Sequence, residues 1–208
     1  MITPSFPRAL QLVGLALAGF LMVACTPQTV YVDTADDRGD VVMGLDYRDF
    51  ESAAGEMVEG MLGSGALDHP MGGRYVLVVS RVTNDTMQRI STDQLVRKIR
   101  SDLLQSGRVV VTTAVGLDGP EDQMNMAVRE LRDSAEFNQN TVQGSGQLIA
   151  PDLSLSGIIR QRNLSMDQRQ QQVEYYFELA LTDLSTGLAI WEDQSIIVKR
   201  GSNQTVAW

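Results

Sequence analysis

The sequence predicts an α/β fold in which a single mixed β-sheet carries helices packed on one face and ends in an antiparallel meander. Three observations lead there. Between residues 46 and 131, amphipathic helical stripes alternate with short valine-rich runs, the order of a β-α-β unit. From residue 151 onward three strand-like runs, PDLSLSGIIRQRN, QQVEYYFELALTD and LAIWEDQSIIVKR, succeed one another with turn-type segments between them. Along the middle run Val173, Tyr175, Phe177, Leu179 and Leu181 alternate with Gln172, Glu174, Tyr176, Glu178 and Ala180, so one face of that sheet is covered and the other is wet.

Taken in chain order, the first element is an export signal. Arg8 precedes the apolar run ALQLVGLALAGFLMVA, and Cys25 comes directly after it. Those 16 residues, interrupted by Gln11, fall short of the roughly 20 that a permanent spanning helix needs. Ala24 before Cys25 resembles the cleavage box of lipoproteins, with Met22 where that pattern prefers Leu. Residues 1–24 are therefore expected to be a lipoprotein signal peptide and Cys25 the thiol that receives the lipid. Several acyl chains at one site anchor a protein stably, because each buried methylene contributes about 0.8 kcal/mol. Thr26, rather than Asp, comes after the cysteine, which by resemblance to enterobacterial lipoproteins implies the outer membrane, with the body facing the periplasm.

Residues 25–44 read as a lipid-anchored flexible tether, because TPQTVYVDTADDRGDVVMG is polar, acidic and without a helical period. Its 19 residues reach about 65 Å when fully extended. Residues 45–208 are the expected periplasmic α/β domain. Asp46 is the expected N-cap of a helix carrying Phe50, Ala54, Met57, Val58, Met61 and Leu62, with Gly63 as its stop. Tyr75 to Val79 is an apolar run suited to a central strand. Ser91 with Gln94 fits a capping box ahead of the stripe Leu95, Val96, Ile99, Leu103 and Leu104, which Gly107 closes. Arg108 to Ala114 reads as a strand parallel to the first. Gly119, Pro120, Glu121 and Asp122 signal a helix start, continued by Met124, Val128 and Leu131. Phe137 to Gly146 reads as a surface loop, and LSTG at 184–187 as the turn of the last hairpin.

Composition bounds the function. With 43% hydrophobic and 21% charged residues over 208 positions, the chain is that of one globular domain plus its targeting segment. Its net charge is −9, and because Arg8 is the only charge before Cys25, the remainder of the chain carries 26 acids against 16 bases. Nucleic acid is excluded as a partner on that ground. Cys25 is the single cysteine, so no intramolecular disulfide exists and the core must hold the fold. His69, in a loop beside Pro70, is the only histidine, and no multi-ligand metal site of His and Cys can be built from it. The glycines at 55, 60, 63 and 65 do not come after a strand and form no phosphate cradle. Glu121 and Asp122 are explained as first-turn helix acids. The reading is of a protein with no catalytic residues, metal or cofactor.

The wet sheet face is where recognition is expected. A hairpin pairing Leu181 with Leu188 and Leu179 with Ile190 sets Glu178 opposite Trp191 and Tyr176 opposite Asp193, with both aromatics on the uncovered side. Arg160 and Arg162 fall on the same face, within reach of Glu174 or Glu178. Tyr176, Trp191, Arg160 and Glu178 are thus the candidate partner-binding residues. Two readings of the aromatic pair stand at this point: interface anchors, or rings that pack on each other, on the tether or on the 137–146 loop. RKIR at 97–100 reads as the solvated face of its helix.

The stretches VVSRVTNDT, LLQSGRVVVTTA, PDLSLSGIIRQRN and YYFELALTDLSTGLAIWED resemble the LpoB family, outer-membrane lipoproteins that activate a bifunctional class A penicillin-binding protein. The resemblance covers residues 76–198. It implies a fold similar to the N-terminal domain of TolB, docking on a small non-catalytic domain of the synthase, and stimulation of its glycosyltransferase and transpeptidase activities. Enterobacterial members carry a long Pro- and Gln-rich tether, whereas Pro27 is the only proline of this one. The alternative, from another class, is a structural subunit of an envelope secretion assembly resembling the curli-export lipoprotein CsgG.

Overall fold

Asp46 starts the first helix, α1 (Tyr47–Ser64): its carboxylate accepts from the Arg48 and Asp49 N–H groups, and Asp49 Oδ2 accepts in return from the Asp46 N–H at 2.8 Å. The predicted cap is present, reinforced by an acid at the third helical position. The helix runs through Gly63 and ends at Gly65, whose φ of 79° is a left-handed conformation that suits glycine.

The computed structural model describes residues 29–37, 39–116 and 121–204. The expected signal peptide, Cys25, Gly119 and Pro120 lie outside the described residues. The chain forms two units, Met1–Asp40 and Val41–Trp208. In the first, the described residues hold a turn around Asp33 to Asp36 and neither helix nor strand. The second holds every helix and strand among the described residues.

β1 (Tyr75–Asp85), α2 (Asp93–Gln105) and β2 (Val109–Val111) make the expected parallel β-α-β unit, with Tyr75 opposite Val109. Leu95, Val96, Ile99 and Leu103 are its buried helical stripe. Three local expectations are corrected. Thr92, not Ser91, precedes α2, so Gln94 falls one position short of closing a capping box. β2 has three residues because the ladder ends once the Thr112 N–H donates to the Leu77 carbonyl, and Thr112 Oγ1 then accepts from the Ala114 N–H. α3 (Met124–Glu130), continued by one 3₁₀ turn (Leu131–Asp133), begins later than the Gly-Pro-Glu-Asp signal suggests. Asp122 is held outside it: its N–H donates to the Thr113 carbonyl at 2.9 Å and its Oδ1 accepts from the Met124 N–H. α3 buries no side chain, and Phe137 to Gly146 is the exposed loop expected.

β3 (Leu153–Ser165), β4 (Gln170–Asp183) and β5 (Leu188–Ser202) form the meander, and β3 pairs in parallel with β1. The sheet is mixed and runs β2-β1-β3-β4-β5. Its inner face meets α1 and α2. Val173, Tyr175, Phe177, Leu179 and Leu181 are each no more than 2% exposed, and the Phe50 ring meets Phe177 edge-on with centroids 5.8 Å apart. Each such side chain stabilises the fold by roughly 1.5–3 kcal/mol relative to exposure. Gly157 faces Leu179 across the β3–β4 pair, where an added Cβ would lie 2.6 Å from the Glu178 carbonyl oxygen. Only glycine fits there.

The last hairpin differs from the expected pairing in a way that matters. Asp183 pairs with Leu188 across the LSTG turn, and a one-residue bulge then sets Leu181 opposite Trp191. The shorter turn moves the register by two residues and preserves the faces; the extra residue of the bulge inverts them. Trp191 therefore lies on the covered side, half-buried against the core, while Asp193 pairs with Leu179 and Ile196 with Tyr176.

The same phase turns Ser195 and Lys199 inward, where α1 supplies their partners. Ser195 Oγ donates to Glu56 Oε2 at 2.6 Å. Lys199, 7% exposed, donates to Asp49 Oδ2 at 2.6 Å and to the Gly44 carbonyl at 2.7 Å. Met43 is buried in the core, its carbonyl accepting from Tyr175 Oη at 3.1 Å, and the Leu45 N–H donates to Gln88 Oε1. Met43 and Gly44, assigned to the tether from sequence, are thus packed in the body. Burial works against the Asp46 carboxylate, yet the Arg48 hydrogen bond and the Lys199 charge hold it below the ordinary range. Burial, and then the Asp49 charge, push the Tyr175 hydroxyl up to about 12.

Both buried contacts have measurable consequences. Lys199→Met strands a buried carboxylate and is expected to lower unfolding stability by about 3–5 kcal/mol in urea titrations; a loss under about 1 kcal/mol, the level of a surface pair, contradicts the clamp. Because the folded-state value of Tyr175 lies above its unfolded value of 10.0, its contribution is whole below pH 10 and is lost as pH rises toward about 12. Stability against alkali is expected to fall less steeply in Tyr175→Phe across that window, and an unchanged slope contradicts the assignment.

Candidate functional site

The side of the sheet away from α1 and α2 is an open face built from the outward residues of the three long strands. From β3 it takes Ile158, Arg160 and Arg162, from β4 Glu174, Tyr176 and Glu178, and from β5 Glu192, Gln194, Ile196 and Val198. Strand pairing sets Arg160 beside Tyr176 and Ile158 beside Glu178, with Gln194 beyond Glu178.

Four of the charges on this face are paired with one another, Arg160 with Glu178 and Arg162 with Glu174. Arg160 is bridged to Glu178 Oε2, and Glu178 Oε1 accepts from Gln194 Nε2 at 3.1 Å. Tyr176 Oη donates to Glu174 Oε2 at 2.5 Å, Gln172 Nε2 donates to Oε1 of the same carboxylate at 2.7 Å, and Arg162 lies 3.9 Å away. Hydrogen bonds from Tyr176 and then Gln172 hold the Glu174 carboxyl below the usual range, while the same Glu174 contact raises the Tyr176 hydroxyl. Arg200 Nε donates to Gln172 Oε1 at 2.6 Å and extends the network toward the strand ends. Ile196 and Val198, about half exposed, lie beside this polar lattice. The arrangement presents orientated hydrogen-bonding groups next to apolar side chains, which is how a recognition surface discriminates partners.

The structure therefore brings together three of the four candidate residues, Arg160, Tyr176 and Glu178. Trp191 is separated from them by the sheet itself, because the bulge puts it on the helix side. Glu174, Gln194, Ile196 and Val198 were not among the candidates; the alternation of β4 marks Glu174, but the β5 residues needed the bulge. On α2, Lys98 lies 3.2 Å from both Glu51 and Asp102. The hydrogen bonds that Lys98 donates to Glu51 and then to Asp102 raise it above its usual range. The His69 ring lies tilted against Tyr75, 4.6 Å between ring centroids, and its Nδ1 accepts from the Met71 N–H. Among the described residues no cluster of three or more His, Cys, Asp or Glu is placed to hold a metal ion, and no helix is long and apolar enough to cross a membrane.

Comparison with known proteins bears on the family of the chain. The model of a family described as the peptidoglycan-synthase activator LpoB matches residues 49–197. Among solved structures, the LpoB C-terminal domain from Escherichia coli is similar at 15% identity, over 72% of this chain and 98% of that one, with a TM-score of 0.43. The corresponding domain from Salmonella enterica is similar at 13% identity, over 72% and 98%, with a TM-score of 0.43. The NMR structure of E. coli LpoB is similar at 15% identity, over 96% and 84%, with a TM-score of 0.38. No curated protein matches the sequence. Since the family model spans more than half of the chain, from the first turn of α1 into β5, the chain belongs to the LpoB family of peptidoglycan-synthase activators.

Proposed function

We propose that this chain is an outer-membrane lipoprotein, lipidated at Cys25 and facing the periplasm, that binds a bifunctional class A penicillin-binding protein and raises its glycosyltransferase and transpeptidase activities. The family match over residues 49–197 carries this reading and favours it over a secretion-assembly subunit. A regulator of this kind needs no catalytic group of its own. It acts by binding the active conformation of the synthase more tightly than the resting one, and a tenfold stimulation requires a difference of about 1.4 kcal/mol.

The open face is the proposed docking surface, with Arg160, Tyr176 and Glu178 at its centre. Its polar groups are already hydrogen-bonded to one another, so a partner meets a fixed pattern and little ordering entropy is lost on docking. Trp191 has no place in that surface. The segment ahead of Val41 serves as the tether, and near-full extension of it brings the body toward the synthase.

Glycan polymerisation by the cognate synthase, measured with and without the protein, tests the proposal. Stimulation is expected with the wild type. Arg160→Glu, which sets two carboxylates against each other at the centre of the face, is expected to cut the apparent affinity at least about tenfold while leaving circular dichroism unchanged. Absence of both binding and stimulation by the wild type overturns the function, and full affinity in Arg160→Glu overturns the docking face.

A further inference from the structure

The outer edge of β5 is closed to strand pairing by its own residues. The bulge opposite Leu181 interrupts it, and two of its charges are turned inward, Asp193 toward Gly60 and Lys199 onto Asp49. Asp193 Oδ1 also accepts from the Gln194 N–H at 2.8 Å. Recognition by β5 therefore runs through the side chains that it presents on the open face.

Those side chains change character along the strand. At one end, Glu192 has no hydrogen-bond or ion-pair partner among the described residues, and with Glu178, Asp193 and Gln194 it lines a depression of about 470 Å³. At the other end two bases line a second depression, of about 330 Å³. Arg169 has no side-chain partner among the described residues, and the Arg200 guanidinium donates to the neutral amide of Gln172 and to no carboxylate. Between the two depressions Ile196 and Val198 stand 51% and 49% exposed, opposite Tyr176 and Glu174. A rise of about 3.4 Å per residue puts Glu192 and Arg200 about 27 Å apart, the width of a patch of roughly 800 Å².

We infer that the affinity of the open face is concentrated in this strip, and that it fits a patch of the synthase carrying a basic, an apolar and an acidic side chain in that order, read from Glu192 to Arg200. The inference rests on the docking proposal and assigns the affinity within that face. Arg160 with Glu178 and Arg162 with Glu174 are compensated inside the chain, so a partner gains little by pairing with them, and they act by fixing the pattern it must match. Glu192, Arg169 and Arg200 lack a compensating charge, which opposite charges on a partner supply. Ile196 and Val198 leave water only when a partner covers them. On the inner side of the same strand, the bonds from Ser195 to Glu56 and from Lys199 to Asp49 hold it in place, so the strip is presented already ordered.

Binding of the full chain to the cognate synthase in detergent, followed by surface plasmon resonance, tests it. The double variant Ile196→Thr with Val198→Thr keeps the β-branched shape, and it is expected to lose at least about tenfold in affinity with unchanged circular dichroism. Glu192→Arg and Arg200→Glu are each expected to lose at least about fivefold at low salt and less at high salt. Combining the two reversals is expected not to restore binding, because the partner's charges stay as they are. Should the apolar double variant disturb folding, the charge reversals decide alone. Wild-type affinity in the folded apolar variant, or in both charge reversals, overturns the inference and leaves the docking face to the Arg160→Glu result. Absence of binding by the wild type overturns the docking proposal itself, and the inference with it.

Discussion

The inward row of β4 is the constraint on which the rest of the structure depends. Five side chains at every second position, from Val173 to Leu181, are removed from water together, and they can be covered only by elements on one side. α1 and α2 provide that cover, and α1 reaches β5 while α2 reaches β1 and β2. Once that side is dry the opposite residues of β4 are committed to water, and Glu174, Tyr176 and Glu178 form the lattice there. The open face is thus a consequence of how the core is built.

β5 joins this arrangement out of phase with its own composition. The bulge opposite Leu181 directs Asp193, Ser195 and Lys199 toward the helices and sends Ile196 and Val198 into solvent. Inward polar groups need partners, and α1 supplies Asp49 for Lys199 and Glu56 for Ser195. Asp49 also closes the helix cap, so one carboxylate serves the start of α1, the end of β5 and, through Lys199, the backbone of Gly44. The point where the chain enters the folded body is thereby fixed to the edge strand. A strand whose polarity runs against its burial departs from local consistency, and such departures concentrate where a protein meets something else.

Much of this was legible in the sequence. Strict alternation along β4 is a period-two signal that no helix shares, and it marked both the covered row and the candidates Tyr176 and Glu178. The Asp46 cap was legible because a carboxylate before an apolar stripe has one common structural use. The phase of β5 was not, because Ile196, Ile197 and Val198 are a continuous apolar run that reads equally well in either phase. A two-residue change in the turn would have left Trp191 where it was expected; the single bulged residue did not, and short-range pattern carries no sign of it. The pairing of Lys199 with Asp49 joins positions 150 residues apart and has no local signature at all. Nor do the three-residue length of β2 and the late start of α3, both set by hydrogen bonds between the 112–114 turn, Leu77 and Asp122.

The central claim, that the face opposite the helices is where the synthase docks, is met most directly by site-specific photo-crosslinking. A crosslinking side chain at Tyr176 or Arg162 is predicted to capture the cognate synthase, whereas one at Arg97 on the exposed side of α2 is predicted to capture none. Capture at Arg97 with none at Tyr176 and Arg162 would contradict the account and move the docking surface to the helices.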